Sequence, residues 1–380
     1  MNVRHVTGYV FMRTQNILLS LLLCCCHLSG YAQSYYQYKN TFNITRSSQT
    51  AFNYFVILAP CPQSDEYQNV YELDCNSSGT WIQHEIAENQ NKYLELNMDA
   101  TDLSNASKNY SVGYSFIFSP KSFAIDFSPY KHADGSWGDM PEYDTSSLDY
   151  KENTKQSGEI VVPDNETIVS ISNQIFTNCS GNKLAYAEKC YEYVASHYRY
   201  LNPNTGLHPL SEILANGGGD CGNFSSIYIS LLRAKGIPAR HVVAVGANNN
   251  FHVWSEFYIQ DFGWVPVDVT YKNSNPQGNY FGKYNYNMVV VQKGVSMDYP
   301  TASVGTQFID LLQTYYYWYW YNTYATMNIN QTITAMNIEY NGVAQIKSHT
   351  TKSVRKILRN NKLVIEANGN EYNVSGLLLK

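Results

Sequence analysis

Cys221 follows the glycine run 217–219 within Gly219-Asp220-Cys221-Gly222-Asn223, and a helical pattern begins at it. A cysteine in the first turn of a helix sits beside unpaired backbone N–H groups and the positive end of the helix dipole. Both favour the thiolate, which is the nucleophilic form. The glycines permit a tight turn and leave room for a substrate carbonyl, and the N–H of Cys221 could then help hold a developing oxyanion. Taken alone, the same setting also suits a buried structural cysteine, so a partner is needed. Downstream, Phe251-His252-Val253-Trp254-Ser255-Glu256-Phe257 alternates like a strand, with His252, Trp254 and Glu256 on one face. A short turn at 260–263 leads to a second strand, Trp264-Val265-Pro266-Val267-Asp268. An antiparallel hairpin of the two brings Asp268 into the neighbourhood of His252, although the register is open. Histidine is the base suited to neutral pH, and a carboxylate would orient its ring and stabilise its charged form. Cys221 as nucleophile, His252 as base and Asp268 as orienting acid are therefore the candidate catalytic set.

Other histidines compete poorly. His241 directly follows Arg240 and has no acid on the next strand, while His197 and His208 precede the cysteine in helical or loop context. A metal could take Cys, His and Asp ligands, but the close-spaced pairs of zinc sites are missing, so no metal or cofactor is expected.

The elements that must hold these residues follow from the apolar period. Asp164 can cap a helix carrying Ile168, Ile171 and Ile175, and a turn at Ser180-Gly181-Asn182 leads to a second with Leu184, Ala187, Tyr191, Val194 and Tyr198 at helical spacing. The helix that begins at Cys221 runs to about Ala234 and stops at Gly236-Ile237-Pro238, ahead of strands over 241–245, 251–259 and 264–269. Residues 34–160 read as a β-rich domain of sandwich type, from runs at 52–58, 110–118 and 123–127 broken by polar and glycine clusters. The stretch 301–351 is β-like again and contains Tyr-rich 315–321. A strand packed between two layers is the main reading of that run, with a sugar-stacking platform as the other. Residues 352–380 form a small hairpin-like element around Asn360-Asn361 and Asn368-Gly369.

Composition sets the outer bounds. Of 380 residues, 44% are apolar and 15% charged, as in a globular chain, and the net charge of −5 with no basic block argues against a nucleic-acid partner. Arg4 and Arg13 ahead of an apolar run at 17–26, with small residues near Ala32, read as a signal peptide over 1–32. Export to the periplasm, cell surface or medium is expected, with no further membrane span. Five cysteines then remain. Cys61 and Cys75 could close a short loop, Cys179 and Cys190 are too far apart along a helix to pair, and Cys190 reads as core.

The run GGGDCGNFSSIYISLLRAKGIPARHVVAVG, then HVWSEFY, then GWVPVDVT, resembles the core of the transglutaminase-like superfamily over about residues 164–275. The resemblance implies an α+β fold: a papain-like core over 161–300, helices packed on an antiparallel sheet, flanked by the N-terminal β-sandwich-like domain and the C-terminal β-rich region. It implies Cys221 as nucleophile, His252 as base and Asp268 as orienting acid. The animal cross-linking enzymes carry Gln and Trp beside the nucleophile, where this chain has Asp220 and Gly222, and an upstream Trp whose nearest substitute here is Tyr200. The expectation is an exported cysteine hydrolase, protease or amidase, acting on a peptide or protein. Glutamine–lysine cross-linking is the second reading and a non-catalytic surface binding protein, with glycan contact, the third.

Overall fold

The computed structural model describes residues 34–76, 78–201, 206–340, 355–359, 362–367 and 370–372. The expected signal segment and the turns at Asn360-Asn361 and Asn368-Gly369 lie outside the described residues. One compact unit runs to Glu339 and a second begins at Tyr340.

In the first unit the chain opens with β1 (Tyr35–Arg46), β2 (Phe52–Cys61), β3 (Gln68–Cys75), β4 (Thr80–Ile86), β5 (Asn91–Asp99), helix α1 (Ala100–Asn105) and β6 (Asn109–Pro120). Five helices follow: α2 (Leu148–Thr154), α3 (Glu166–Asn178), α4 (Lys183–His197), α5 (Leu210–Asn216) and α6 (Cys221–Arg233). Next come β7 (Ala239–Gly246), β8 (Asn250–Ile259), β9 (Gly263–Val267), helix α7 (Val269–Ser274), β10 (Val289–Lys293), β11 (Tyr316–Tyr321) and β12 (Met327–Ile338). Several two- or three-residue strands fill the connections.

Two four-stranded antiparallel sheets, ordered β12-β1-β6-β3 and β11-β2-β5-β4, enclose one apolar core. Alternation explains the arrangement: along β1, Tyr38, Asn40, Phe42 and Ile44 are buried while Gln37, Lys39, Asn43 and Thr45 are exposed. Strands β11 and β12 come from the C-terminal β-rich region, so both flanks of the core build one sandwich. Among the described residues the aromatic strand β11 pairs with β2 alone and stands at the end of its sheet. Tyr315 and Tyr319 meet Phe42 and Phe52 inside the sandwich, whereas Tyr316, Tyr317, Trp320 and Tyr321 are exposed. Trp318, on the opposite face, packs against the cluster of Leu58, Tyr93, Tyr299 and Leu312. The expectation of a strand packed between two layers therefore holds for Tyr315, Trp318 and Tyr319, whereas the remaining rings of the strand are exposed on both faces.

The central sheet has the order β9-β8-β7-β10, all antiparallel. Val243, Val245, Val253, Val289 and Val291 from it join the sandwich core, and Ala239, Phe257, Ile259, Val265 and Val267 join the core beneath the helices. Helix α6 is the middle of that layer, with every residue from Gly222 to Arg233 buried. Its serines tolerate this because their hydroxyls donate back to carbonyls one turn earlier: Ser225 to Cys221, Ser226 to Gly222 and Ser230 to Ser226. Helix α3 is capped by Asn165, which accepts the N–H groups of Thr167 and Ile168, and not by Asp164. The two are adjacent and of similar capping strength, so local pattern could not separate them. Cys61 and Cys75 are free thiols on strands of different sheets, pushed up to about 12 and about 11, chiefly by burial. The expected short loop is not closed. Cys190 is fully buried core.

In the second unit, Arg355–Arg359, Lys362–Ala367 and Asn370–Tyr372 form a three-stranded antiparallel sheet, one strand more than a hairpin.

A polar lock joins sandwich and central sheet. Glu256 on β8 is fully buried, accepts Arg240 Nε at 2.5 Å and also accepts the Tyr67 hydroxyl from the β2–β3 connection. Arg240 lies on the ring of Trp264 at 3.8 Å, and Lys293 pairs with Glu66 at 2.8 Å and Asp65 at 3.2 Å. Removing one partner of a buried pair leaves the other charge uncompensated. Glu256→Ala should therefore destabilise the protein by about 3–5 kcal/mol in urea unfolding. A loss below about 1 kcal/mol would mean that Arg240 is rehydrated or re-paired without cost.

Candidate active site

The turn before Cys221 is built by glycines. Gly217 ends α5 in the left-handed region at φ 68°, where a side chain would be strained. Gly218 has φ 154°, and a Cβ there would come within 1.9 Å of the Arg199 carbonyl oxygen. That approach exists because Arg199–Tyr200 pairs in parallel with Gly218–Gly219. Asp220 then caps α6: its carboxylate accepts the N–H of Gly222 at 3.0 Å, the N–H of Asn223 at 3.2 Å and the amide of Asn223 at 2.8 Å. The carbonyl of the buried Asn223 side chain accepts the His208 N–H at 3.1 Å, tying the preceding loop to the helix start. Asp220 uses the second and third N–H groups of the helix, so the N–H of Cys221 is the first-turn donor that the cap does not take. Cys221 is half-buried and stands at the first position of α6.

Opposite lies β8. Ser255 pairs with Val267 and Ile259 with Gly263, so the hairpin runs Asp268 up beside His252. His252 Nε2 is 2.6 Å from Asp268 Oδ2, which leaves Nδ1 as the ring nitrogen available to Cys221. The pair is out of water: His252 is 9% exposed and Asp268 1%. Burial alone would push the imidazole down. The Asp268 carboxylate overrides this, and the Cys221 side chain, which reaches the same ring, adds to the pull, so the proton on His252 is held up to about pH 10. The structure thus brings together the cysteine, histidine and aspartate singled out by the sequence.

The carboxylate has further partners. Asp268 caps α7, accepting the N–H of Tyr271 at Oδ1 (2.9 Å), and takes the Tyr286 hydroxyl at Oδ2 (2.8 Å). The rings of Tyr271 and Tyr286 stand edge-on to His252 with centroids at 5.1 and 5.6 Å. Sequence reasoning missed both tyrosines. The first was legible as a residue three past a capping Asp, whereas nothing in the local pattern marked the second. Tyr200, proposed as the substitute for an oxyanion-holding Trp, is 48% exposed, packs edge-on against Phe224 at 6.2 Å and is close enough to Cys221 to feel its charge. His241 is fully buried beneath α6 with Nε2 3.0 Å from Ser226 Oγ. Burial, and then the charge of Arg233, push it down to about 3. His197 is exposed at the end of α4, and the His208 ring faces Glu212 at 3.3 Å and lies close enough to the Asp220 cap to act on its charge. Among the described residues there is no group of three His, Cys, Asp or Glu side chains placed to hold a metal. Nor, among the described residues, is any helix long and apolar enough to cross a membrane.

Comparison with known proteins bears on this region first. Residues 169–269 match the family model of the transglutaminase-like superfamily. A segment of 75 residues is 37% identical to YebA of Bacillus subtilis, an uncharacterized protein; it covers 15% of this chain and 10% of that one. Over 82% of this chain and 93% of the other, the fold is similar to that of a protein from Cytophaga hutchinsonii described as a candidate cysteine protease, with TM-score 0.52 and 12% identity. The periplasmic domain of TgpA from Pseudomonas aeruginosa overlaps 62% of this chain and 91% of its own, at TM-score 0.31 and 14% identity.

The two buried histidines give opposite pH slopes. His252 is raised in the folded state, so its contribution is complete below its ordinary value of 6.5 and is lost as pH rises through about 10. His241 is lowered, so the stability that depends on its neutrality is present above 6.5 and is lost as pH falls towards 3. Thermal unfolding should show wild type losing stability relative to His252→Gln between pH 6.5 and 10, and relative to His241→Gln between pH 6.5 and 4. The slope in each window is at most about 1.4 kcal/mol per pH unit. A pH-independent gap in either window refutes that histidine's assignment.

Proposed function

From a chain whose residues 169–269 form a transglutaminase-like superfamily core, we propose an exported cysteine hydrolase that cleaves amide bonds of peptides or proteins through a Cys221 thioester. The observation that carries this reading is the pairing of a helix-start cysteine with a histidine whose far nitrogen is fixed 2.6 Å from a buried carboxylate. The Cys221 sulfur attacks the carbonyl carbon, forming a C–S bond, and the negative charge that builds on oxygen is met by the Cys221 N–H, with the Tyr200 hydroxyl as a second donor. His252 gives its proton to the departing nitrogen as the C–N bond breaks. Neutral His252 then takes a proton from water, whose oxygen attacks the thioester. The acid product leaves, and the sulfur is restored as thiolate beside a protonated ring. Asp268 keeps its charge throughout and holds the ring in one tautomer, as the carboxylate does in other triads.

Hydrolysis is favoured over transfer to an amine by the openness of the rim. Tyr200 and Tyr271, both close enough to Cys221 to feel its charge, are 48% and 40% exposed, which gives water a route to the acyl sulfur. The departure from the animal enzymes at Asp220 and Gly222 points the same way. An exported location rests on Arg4, Arg13 and the apolar run at 17–26.

The test compares wild type with Cys221→Ala by mass spectrometry, after incubation with a mixed protein substrate and a tagged primary amine. New peptide termini or Gln-to-Glu conversion with wild type alone is the expected result. Tag incorporated at Gln would replace hydrolysis by amine transfer. Turnover surviving in the variant would end the thioester mechanism. Iodoacetamide should label Cys221 at least about tenfold faster at pH 7 than a free thiol. Equal rates would favour a scaffold that binds without catalysis.

A further inference from the structure

Tyr286 lies outside the matched superfamily core, on the approach to β10, and its hydroxyl donates to the same Asp268 oxygen that His252 Nε2 contacts. A carboxylate at the end of a strand keeps two soft side-chain torsions. The N–H of Tyr271 fixes one oxygen, and the carboxyl plane can still swing about that anchor. The 2.8 Å bond from Tyr286 removes this freedom, because it meets the second oxygen beside the histidine. The donor itself is held: its ring stacks on Tyr271 at 5.3 Å and 21°, and packs on Trp254 at 5.4 Å. Tyr271 and Tyr286 also stand edge-on to the imidazole.

We propose that Tyr286 is a positioning residue, whose hydroxyl keeps Asp268 Oδ2 in line with His252 Nε2 and whose ring, with Tyr271, keeps water from that bond. The inference rests on the acyl-transfer reading of Cys221, His252 and Asp268. The Tyr286 hydroxyl is bonded to Asp268, so its effect on Cys221 passes through the carboxylate and the imidazole. The groups that face this ring are Cys221, Asp268, Trp254, Tyr271 and Tyr286.

Tyr286→Phe removes the hydroxyl and retains the ring, and Tyr286→Leu removes both. Three quantities are read on the full chain at pH 7: the melting temperature, the rate of Cys221 alkylation by iodoacetamide, and the downfield proton resonance of His252 Nε2–H. In the Phe variant the melting temperature should hold to within a few degrees. Alkylation should slow roughly tenfold, the usual weight of one hydrogen bond to a charged group, and the resonance should broaden as its proton exchanges with water. The Leu variant should lose as much reactivity and melt lower. A Phe variant that alkylates like wild type with its resonance intact overturns the proposal. So does one whose reactivity falls only in step with its melting temperature, which is the result of packing alone. The resonance reports on the His252–Asp268 pair without turnover, so the two readings fail separately. Slow alkylation of wild type itself sinks the acyl-transfer mechanism, whereas fast wild type beside an equally fast Phe variant sinks only the role of Tyr286.

Discussion

Asp268 and His252 are hydrogen-bonded in a place that water scarcely reaches, and much of the surrounding architecture serves that condition. A carboxylate taken out of water without partners costs several kcal/mol even after the protein relaxes. Here each of its oxygens is met: Oδ1 by the first turn of α7, Oδ2 by His252 and Tyr286. The three donors come from a helix start, a strand and a loop, so the carboxylate is satisfied only when all three have assembled. The same condition explains why the hairpin ends in a helix. An Asp in the capping position serves both the α7 backbone and the histidine, and neither task requires it to turn away from the other.

Cys221 is positioned by a different device. Its helix is buried along its whole length after the first residue, so the thiol can reach the surface only at that end. Three things fix this end: the Gly218 backbone pressed against Arg199, the Asp220 cap, and Asn223 bonded to both the cap and the preceding loop. The helix N-terminus and the imidazole therefore approach the sulfur from two rigid bodies, a central helix and a central sheet. Positional error is small when both partners sit on regular elements.

Residues whose roles are local were legible in the sequence. Cys221 announces a helix start through its glycines, His252 lies in an alternating run, and Asp268 closes a hairpin whose turn is short enough to force antiparallel pairing. Distant pairings were not. Strand β12 joins β1 with Tyr35 opposite Ile338, and no periodicity within either segment names its partner. For the same reason the place of β11 at the end of its sheet was not legible: whether a strand is central or at an edge depends on a neighbour that another part of the chain supplies or withholds. Tyr286 went unseen because its contact with Asp268 depends on the path of the connection after α7, which has no apolar period to read. Asn165 displaced Asp164 as a cap over a difference of one residue, which lies within the tolerance of any local pattern.

Strand β8 carries both the chemistry and the join between layers, and this couples them. His252 lies toward one end of it and Glu256 four residues on, on the same face, held by Arg240 and Tyr67. The intervening Trp254 packs against His252 on one side and Tyr67 on the other. A slip of β8 by one residue would turn His252 away from Asp268 and would also drive Glu256 off its partners into the apolar face, since side chains alternate. The penalty for misregister at the site is thus raised by a charge several residues away. The sandwich, through Tyr67, contributes to where the imidazole stands without touching it. A sandwich that carries no candidate catalytic residue is in this sense part of the site, and it meets the site at both ends, since Val253 beside His252 belongs to its core and Cys221 packs against the same cluster.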